Sequence, residues 1–368
     1  MDATLLTSQE FWVDPTPENA GEFAEIPELT GHVLFETSGS SGKPKWVALS
    51  KQALLVSAAA VNRYLEVTHD SRWGIALPLH HVGGFGVAAR AYQANCSWSA
   101  FDGRWNPLVF QDWIERENVT HTSLVPTQVH DLVKADLAAP SSLTAIVVGG
   151  GHLDTLTGQA ARDLGWPVLA SYGMTETGSQ IATQGLEVLG MPYRPAPIPL
   201  LPIWKVELSD DHRLRITGPA LFSGYVSEGK FTPRESEWHT ASDRVELDHE
   251  ALTPLGRADT LVKILGELVD PEIIERQLVA YSKGELKAGT FAIVAIPDER
   301  TENSLVPVFE AGVNPAVIRR VLTVHKEQAP GFQRLQAARM IPELPRSELG
   351  KLRRATLAEL CRNLEVID

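Results

Sequence analysis

The chain has 368 residues, 43% hydrophobic and 21% charged, a globular balance that excludes a disordered or fibrous protein and gives length for two or three domains. No apolar run approaches the roughly 18–20 residues of a bilayer span, so no integral membrane protein is expected, and 33 Lys and Arg against 46 Asp and Glu leave −13, which argues against nucleic acid or an anionic membrane as main partner. Two cysteines, Cys96 and Cys361, are too few for a disulfide framework or a cysteine zinc site, and Met1-Asp2-Ala3-Thr4 lacks the basic start of a signal peptide, so a cytoplasmic location is expected.

Residues 1–30, with Pro15, Pro17 and Pro27, read as an extended lead-in. Strand and helix patterns then alternate to about residue 173. Val33-Leu34-Phe35 is a short apolar run ending in a Gly/Ser/Lys loop, with Trp46-Val47-Ala48-Leu49 extended beyond it. Ser50 suits an N-cap, followed by Leu54, Leu55, Ala58, Val61 and Leu65 at helical spacing. Further apolar runs at 74–79, 123–125, 145–148 and 167–170 are separated by helix-compatible segments. That pattern predicts an α/β fold of βαβ units on a mostly parallel sheet. Beyond residue 200, Trp204, Val206 and Leu208 alternate with polar residues, Asp210-Asp211 supplies a turn, and Leu214 and Ile216 resume, predicting a hairpin in a β-rich part. From about residue 260 a separate small α+β unit is expected. Asp270-Pro271-Glu272 supplies a cap, a first-turn proline and an acidic first turn ahead of Ile273, Ile274 and Leu278. Residues 291–296 and 305–309 suit strands, and terminal helices fit 314–328 and 350–364.

His80-His81, Gly149-Gly150-Gly151 and Ser171-Tyr172-Gly173 each follow an apolar run. In a parallel sheet they would share the carboxyl edge, where open α/β sheets bind ligands. Thr37-Ser38-Gly39-Ser40-Ser41-Gly42-Lys43-Pro44-Lys45 has the glycines, hydroxyls and lysines of a phosphate cradle, and equally the composition of a solvated surface loop. It is not a Walker A loop, because Thr37 and Pro44 stand where glycine and a hydroxyl are needed. Gly84-Phe85-Gly86-Val87-Ala88-Ala89 fits a dinucleotide fingerprint formally, with Asp102 as its acid. Gly84 lies five positions past Leu79, however, so a small-residue helix start packed on the sheet is the better reading.

Residues 37–45 resemble the phosphate loop of the adenylate-forming superfamily of acyl-CoA synthetases, adenylation domains and luciferases. Further resemblances follow in that superfamily's order. They are Leu77 to Gly84 (PLFHxxG), Ser171 to Gly178 (YGxTE), Leu214 to Pro219 (LxxxGP) and Trp238 to Asp243 (WFxTGD). Two more are Gly256 to Asp259 with Lys263, Gly266 and Glu267 (GRxDD-IK-x-GE), and Pro345 to Lys351 (PRTxxGK).

The resemblance implies a large N-terminal domain (1–256) with a mostly parallel sheet and a β-rich subdomain, a hinge (257–260) at Asp259, and a smaller mobile α+β C-terminal domain (261–368). It implies joining of a carboxylate to ATP, release of pyrophosphate, and transfer of the acyl group from an acyl-adenylate to coenzyme A. Thr37, Ser38, Gly39, Ser40, Ser41, Gly42, Lys43 and Lys45 would hold the β- and γ-phosphates, with Gly150 and Gly173 also at the nucleotide. Thr175 would contact the α-phosphate and Glu176 would ligate Mg²⁺. Tyr172 would stack on adenine, and Asp243 and Arg257 would hold the ribose. Lys351 would bridge carboxylate and phosphate. Gly266 would leave a path for the thiol arm of coenzyme A, and His81 would line the acyl pocket beside Gly84, Gly149 and Gly151. Trp46 stands where the family usually has glycine, and Ala241-Ser242 replaces its Thr-Gly. Family members usually place well over a hundred residues before the loop. Only 36 stand here, so a shortened N-terminal subdomain is implied, with part of the acyl pocket or a homodimer surface absent or supplied otherwise.

The run from Pro78 through Arg90 and the Ala-Ser-Asp-Arg around Asp243 look most like the o-succinylbenzoate–CoA ligase branch. That acid keeps a second carboxylate after activation, which a buried cation would pair with. Arg90 is the candidate, an interface or surface arginine being the other reading. Another aryl- or fatty-acyl-CoA ligase, a stand-alone adenylation enzyme, and a non-catalytic nucleotide-binding relative are the competing readings.

Overall fold

The structure, a computed structural model, describes residues 26–38, 44–347, 350 and 352–367. The chain divides into two compact units. The first holds the described residues up to Ala241 together with Val245–Pro254, and the second holds Ser242–Arg244 and the described residues from Leu255 onward.

In the first unit β1 (His32–Ser38) and β2 (Pro44–Ser50) lead into α1 (Lys51–Tyr64), where the Ser50 hydroxyl accepts from Ala53 N at 3.1 Å as the expected cap. There follow β3 (Arg72–Ile75), α2 (Val82–Gln93), β4 (Ser97–Ala100), α3 (Pro107–Glu117), β5 (His121–Leu124), α4 (Pro126–Lys134), β6 (Ala145–Val148), α5 (Thr155–Asp163), β7 (Val168–Tyr172) and β8 (Ala182–Thr183). The strands form a six-stranded sheet in the order β4-β3-β5-β6-β7-β8, parallel except for β8. Four-residue strands such as β6, buried throughout, read as unbroken apolar runs because helices leave them no wet face. Phe85, Phe110, Trp113, Ile146, Trp166 and Val168 are part of its core.

Three expectations need correction. The 33–35 run does not join the parallel sheet. The connection at 39–43 is too short for a crossover, which takes about a dozen residues, so β1 and β2 pair antiparallel as a hairpin. The 74–79 run is strand only as far as Ile75, and Pro78, lacking an N–H, lies in the turn before α2. Edge strand β4, Ser-Trp-Ser-Ala, carries no apolar run at all and was not foreseen.

β9 (Ile198–Pro199), β10 (Lys205–Leu208) and β11 (Arg213–Thr217) follow, the last two forming the expected hairpin. Next come β12 (Gly224–Ser227), β13 (Lys230–Pro233), β14 (His239–Asp248) and β15 (Ala251–Arg257). They build two further sheets, β1-β2-β12-β13 and β10-β11-β14-β15-β9.

The second unit continues with β16 (Val262–Ile264), β17 (Glu267–Val269), α6 (Pro271–Tyr281), β18 (Phe291–Asp298), β19 (Glu302–Glu310), α7 (Pro315–Gln328), β20 (Arg339–Ile341), α8 (Arg354–Cys361) and β21 (Glu365–Val366). The Asp270 carboxylate accepts from Glu272 N at 3.0 Å, the cap the sequence announces. β18 to β21 form one sheet with two buried faces, so β18 alternates between them. Phe291 and Ile293 meet Leu278 and Val321 on one side, while Ala292 and Val294 meet Leu357 and Cys361 on the other. The last helix starts at Arg354, not at 350, because Leu352 bridges back to Arg346 and holds the chain extended there.

Candidate active site

The parallel register brings the segments after β6 and β7 to one sheet edge. Gly149 N donates to Leu124 O at 3.1 Å, and the Ser171 hydroxyl donates to Val148 O at 2.8 Å. Tyr172 ends β7, half-buried, and Gly150, at φ 76°, and Gly151 lie in the exposed turn after β6. Gly173 is obligatory: a Cβ there would lie 1.6 Å from Ser179 O. Beyond it the chain makes a short turn over Thr175–Thr177 that Ser57 braces by donating to Gly178 O at 3.1 Å.

Glu176 is held twice from one segment. Phe222 N donates to its carbonyl at 2.8 Å, and the Tyr225 hydroxyl donates to its Oε1 at 3.1 Å. Lys45 Nζ lies 3.0 Å from the centroid of the Tyr225 ring. At the hairpin end, Thr37 pairs with Lys45 and donates its hydroxyl to Lys45 O at 3.0 Å. Both ends of the predicted phosphate loop are thereby closed against each other; Gly39, Ser40, Ser41, Gly42 and Lys43, with the Ser38 side chain, lie outside the described residues. Burial lowers the pKa of Lys45, opposed by the charge of Glu176, and burial followed by Glu176 raises that of Tyr225. His239 is pushed down by burial, with Glu176 opposing.

Among the described residues no cluster of three His, Cys, Asp or Glu could cage a metal. A single carboxylate with one oxygen taken by Tyr225 fits Mg²⁺, which is commonly held by one or two carboxylates and substrate phosphates.

His81 caps α2 without a side-chain cap bond, and its ring lies 4.3 Å from that of His80. Gly84 sits inside this helix start, where a Cβ would come within 2.2 Å of Pro78 O, so this glycine is required by the close approach of the preceding turn, as the packed helix start expects. Two turns on, Arg90 is 2% exposed, so it is no surface arginine. Nη1 donates to the Ser123 hydroxyl at 3.1 Å, Nη2 to the Ser179 hydroxyl at 3.3 Å, and the guanidinium lies 5.4 Å from the Trp73 ring. No carboxylate among the described residues pairs with it, and burial pushes its pKa down to about 9.

The second unit gathers Asp243, Arg257 and Asp259. Arg257 donates to both Asp259 oxygens, at 2.8 and 2.6 Å, and to Asp243 Oδ1 at 3.4 Å. These bonds to Arg257 hold the Asp259 carboxyl below its usual range. Gly266, exposed at φ 85°, turns the β16–β17 hairpin and donates its N–H to Glu302 at 3.2 Å. Lys351 lies outside the described residues. Tyr225, Ser123 and Ser179 were missed in the sequence. Only Ser179 had a signal, its place directly after the Tyr172 to Gly178 motif.

Residues 24–226 match the family of AMP-binding enzymes. The chain belongs to that family. Its sequence is 31% identical over 330 residues to the 2-succinylbenzoate–CoA ligase of Salmonella typhimurium, covering 89% of this chain and 68% of that enzyme. It is 29% identical over 288 residues to the enzyme of that name from Bacillus subtilis, covering 73% and 58%. The Escherichia coli enzyme is 30% identical over 250 residues, and the match takes in 52% of it, so the chain spans about half to two thirds of these relatives. The o-succinylbenzoate coenzyme A synthetase of Bacillus subtilis in complex with AMP superposes with TM-score 0.72 at 25% identity, over 88% of this chain and 68% of that one. Escherichia coli MenE, with a bound analogue of OSB-AMS, superposes with TM-score 0.69 at 25% identity, over 90% and 69%. The fold is thus that of adenylate-forming enzymes, with the mixed α/β first unit and α+β second unit described above.

Proposed function

We propose that this chain is an AMP-forming carboxylate–CoA ligase whose acid is 2-succinylbenzoate. Joining an anionic carboxylate to an anionic phosphorus requires preorganised cationic and N–H donors, each worth roughly 3–4 kcal/mol when aimed at developing charge. In this reading Lys45 and the 37–45 loop hold the outer phosphates, Thr175 meets the α-phosphate, and Tyr172 stacks on adenine. Glu176 is the residue that would hold Mg²⁺, which when bound offsets phosphate charge. Asp243 and Arg257 take the ribose, Lys351 bridges carboxylate and phosphate, Asp259 is the pivot, and Gly266 leaves room for coenzyme A. His81 and Gly84 line the acyl side. The carboxylate attacks the α-phosphorus and pyrophosphate leaves; the thiol of coenzyme A then attacks the acyl carbon and AMP leaves.

Arg90 is the observation that carries the choice of acid. A buried guanidinium satisfied by two hydroxyls and a ring, with no carboxylate of the described chain, suits a substrate that brings its own second carboxylate. A panel of acids in ATP–pyrophosphate exchange, with and without coenzyme A, tests this. 2-Succinylbenzoate should support both exchange and thioester formation. Exchange without thioester would point to a stand-alone adenylation enzyme, equal use of monocarboxylates to another acyl-CoA ligase, and no exchange with any acid to a non-catalytic relative; each overturns the reading.

A further inference from the structure

We infer that Tyr225 is a positioning residue that keeps Glu176 and Lys45 apart and each correctly presented, a role that rests on the adenylate-forming reading above. The three residues come from separate elements: Lys45 from β2, Glu176 from the turn after β7, and Tyr225 from β12. β12 is hydrogen-bonded to β2, with Tyr225 opposite Val47, so the tyrosine is fixed relative to Lys45 by sheet register. Phe222, three residues earlier, fixes it relative to the Glu176 backbone.

A lysine and a glutamate brought this close ordinarily form an ion pair. Here they do not. The phenol ring takes the Lys45 ammonium on its face, an arrangement in which a ring quadrupole attracts a cation, while its hydroxyl donates to one oxygen of Glu176. Among the described residues Glu176 forms no side-chain hydrogen bond besides this one, so Oε2 is left to a cation, and Lys45 is left to an anion. One side chain thus aligns a cation-binding oxygen and an anion-binding ammonium, the two groups that a metal–triphosphate complex needs side by side.

Tyr225→Phe removes the hydroxyl and keeps the ring face, whereas Tyr225→Leu removes both. ATP affinity is read by equilibrium dialysis in EDTA and again with Mn²⁺, without acid, and folding by thermal denaturation. Tyr225→Phe should leave the EDTA affinity unchanged and cut the Mn²⁺-dependent gain about tenfold, the usual cost of losing an outer partner of a metal ligand. Tyr225→Leu should in addition weaken ATP in EDTA, as Lys45 collapses onto Glu176. A Tyr225→Phe protein that keeps the full Mn²⁺-dependent gain while Glu176→Gln loses it overturns the role of Tyr225 alone. A Glu176→Gln protein that also keeps the gain overturns the assignment of the metal to Glu176, and this inference with it.

Discussion

Replacing Arg90 with methionine removes a charge while filling most of its volume, and the structure predicts opposite effects on folding and on catalysis. Burial alone lowers its pKa from 12.5 to about 9, so the folded protein holds the cation at a cost of about 5 kcal/mol. Against that stand two charge-assisted hydrogen bonds, to Ser123 and Ser179, of about 1.5 kcal/mol each, and the Trp73 ring at about 1 kcal/mol. The balance for the unliganded protein is near zero or a gain of about 1 kcal/mol, so the melting temperature should hold or rise. Catalysis behaves differently. Losing the partner of a buried carboxylate costs about 3–5 kcal/mol, which lowers kcat/KM for 2-succinylbenzoate about 10²–10⁴-fold. 4-Oxo-4-phenylbutanoate, the same acid without its ring carboxylate, should lose nothing. Steady-state thioester formation with both acids, beside thermal denaturation, decides it. Equal losses on the two acids, or an unchanged KM for 2-succinylbenzoate, would refute the pairing.

Gly173→Ala should destabilise the first unit by at least about 2–3 kcal/mol, seen as loss of soluble protein or a lowered denaturation midpoint, because its Cβ would overlap Ser179 O. His121 is 3% exposed, and burial lowers its pKa from 6.5 to about 4. The unfolded chain therefore binds a proton between pH 6.5 and 4 that the folded chain does not, so stability falls as pH falls through that window. Urea unfolding should show about 2 kcal/mol lost between pH 7 and 5, and His121→Gln should remove that component. Lys351→Ala should lower acid-dependent pyrophosphate exchange about 10²–10³-fold while thioester formation from preformed acyl-adenylate persists; a parallel loss of both would sink its bridging role.

The parallel sheet was legible because strands buried on both faces have to be unbroken apolar runs, and β6 and β7 are. β4 was not, since an exposed edge strand needs no such run. The β1–β2 pairing was legible in principle, because a five-residue connection permits only a hairpin, but apolar content alone does not report pairing direction. The burial of Arg90 also had a signal. Val82 to Ala89 contains no polar residue, and a helix without a polar face is a buried helix. Ser123, Ser179 and Tyr225 had no such signal of contact with their partners, because each meets its partner through packing or register across 33 to 89 residues of chain.

In the proposed function a chain of net charge −13 binds anions, and it has to do so against its own field. The simplest failure would be for its cations to be neutralised by the surplus of carboxylates. Among the described residues, neither Lys45 nor Arg90 is paired with one. Lys45 is seated on an aromatic face, with its nearby glutamate held back by the hydroxyl of that same ring. Arg90 is held by neutral hydroxyls and an indole, with no carboxylate among the described residues paired to it. In both cases a neutral polar or aromatic group stands where a carboxylate would otherwise quench the charge. The cost appears as desolvation in each, and in the proposed function an incoming phosphate or carboxylate would offset it. Local dielectric and neutral spacers, more than net charge, therefore set where this acidic protein can hold an anion.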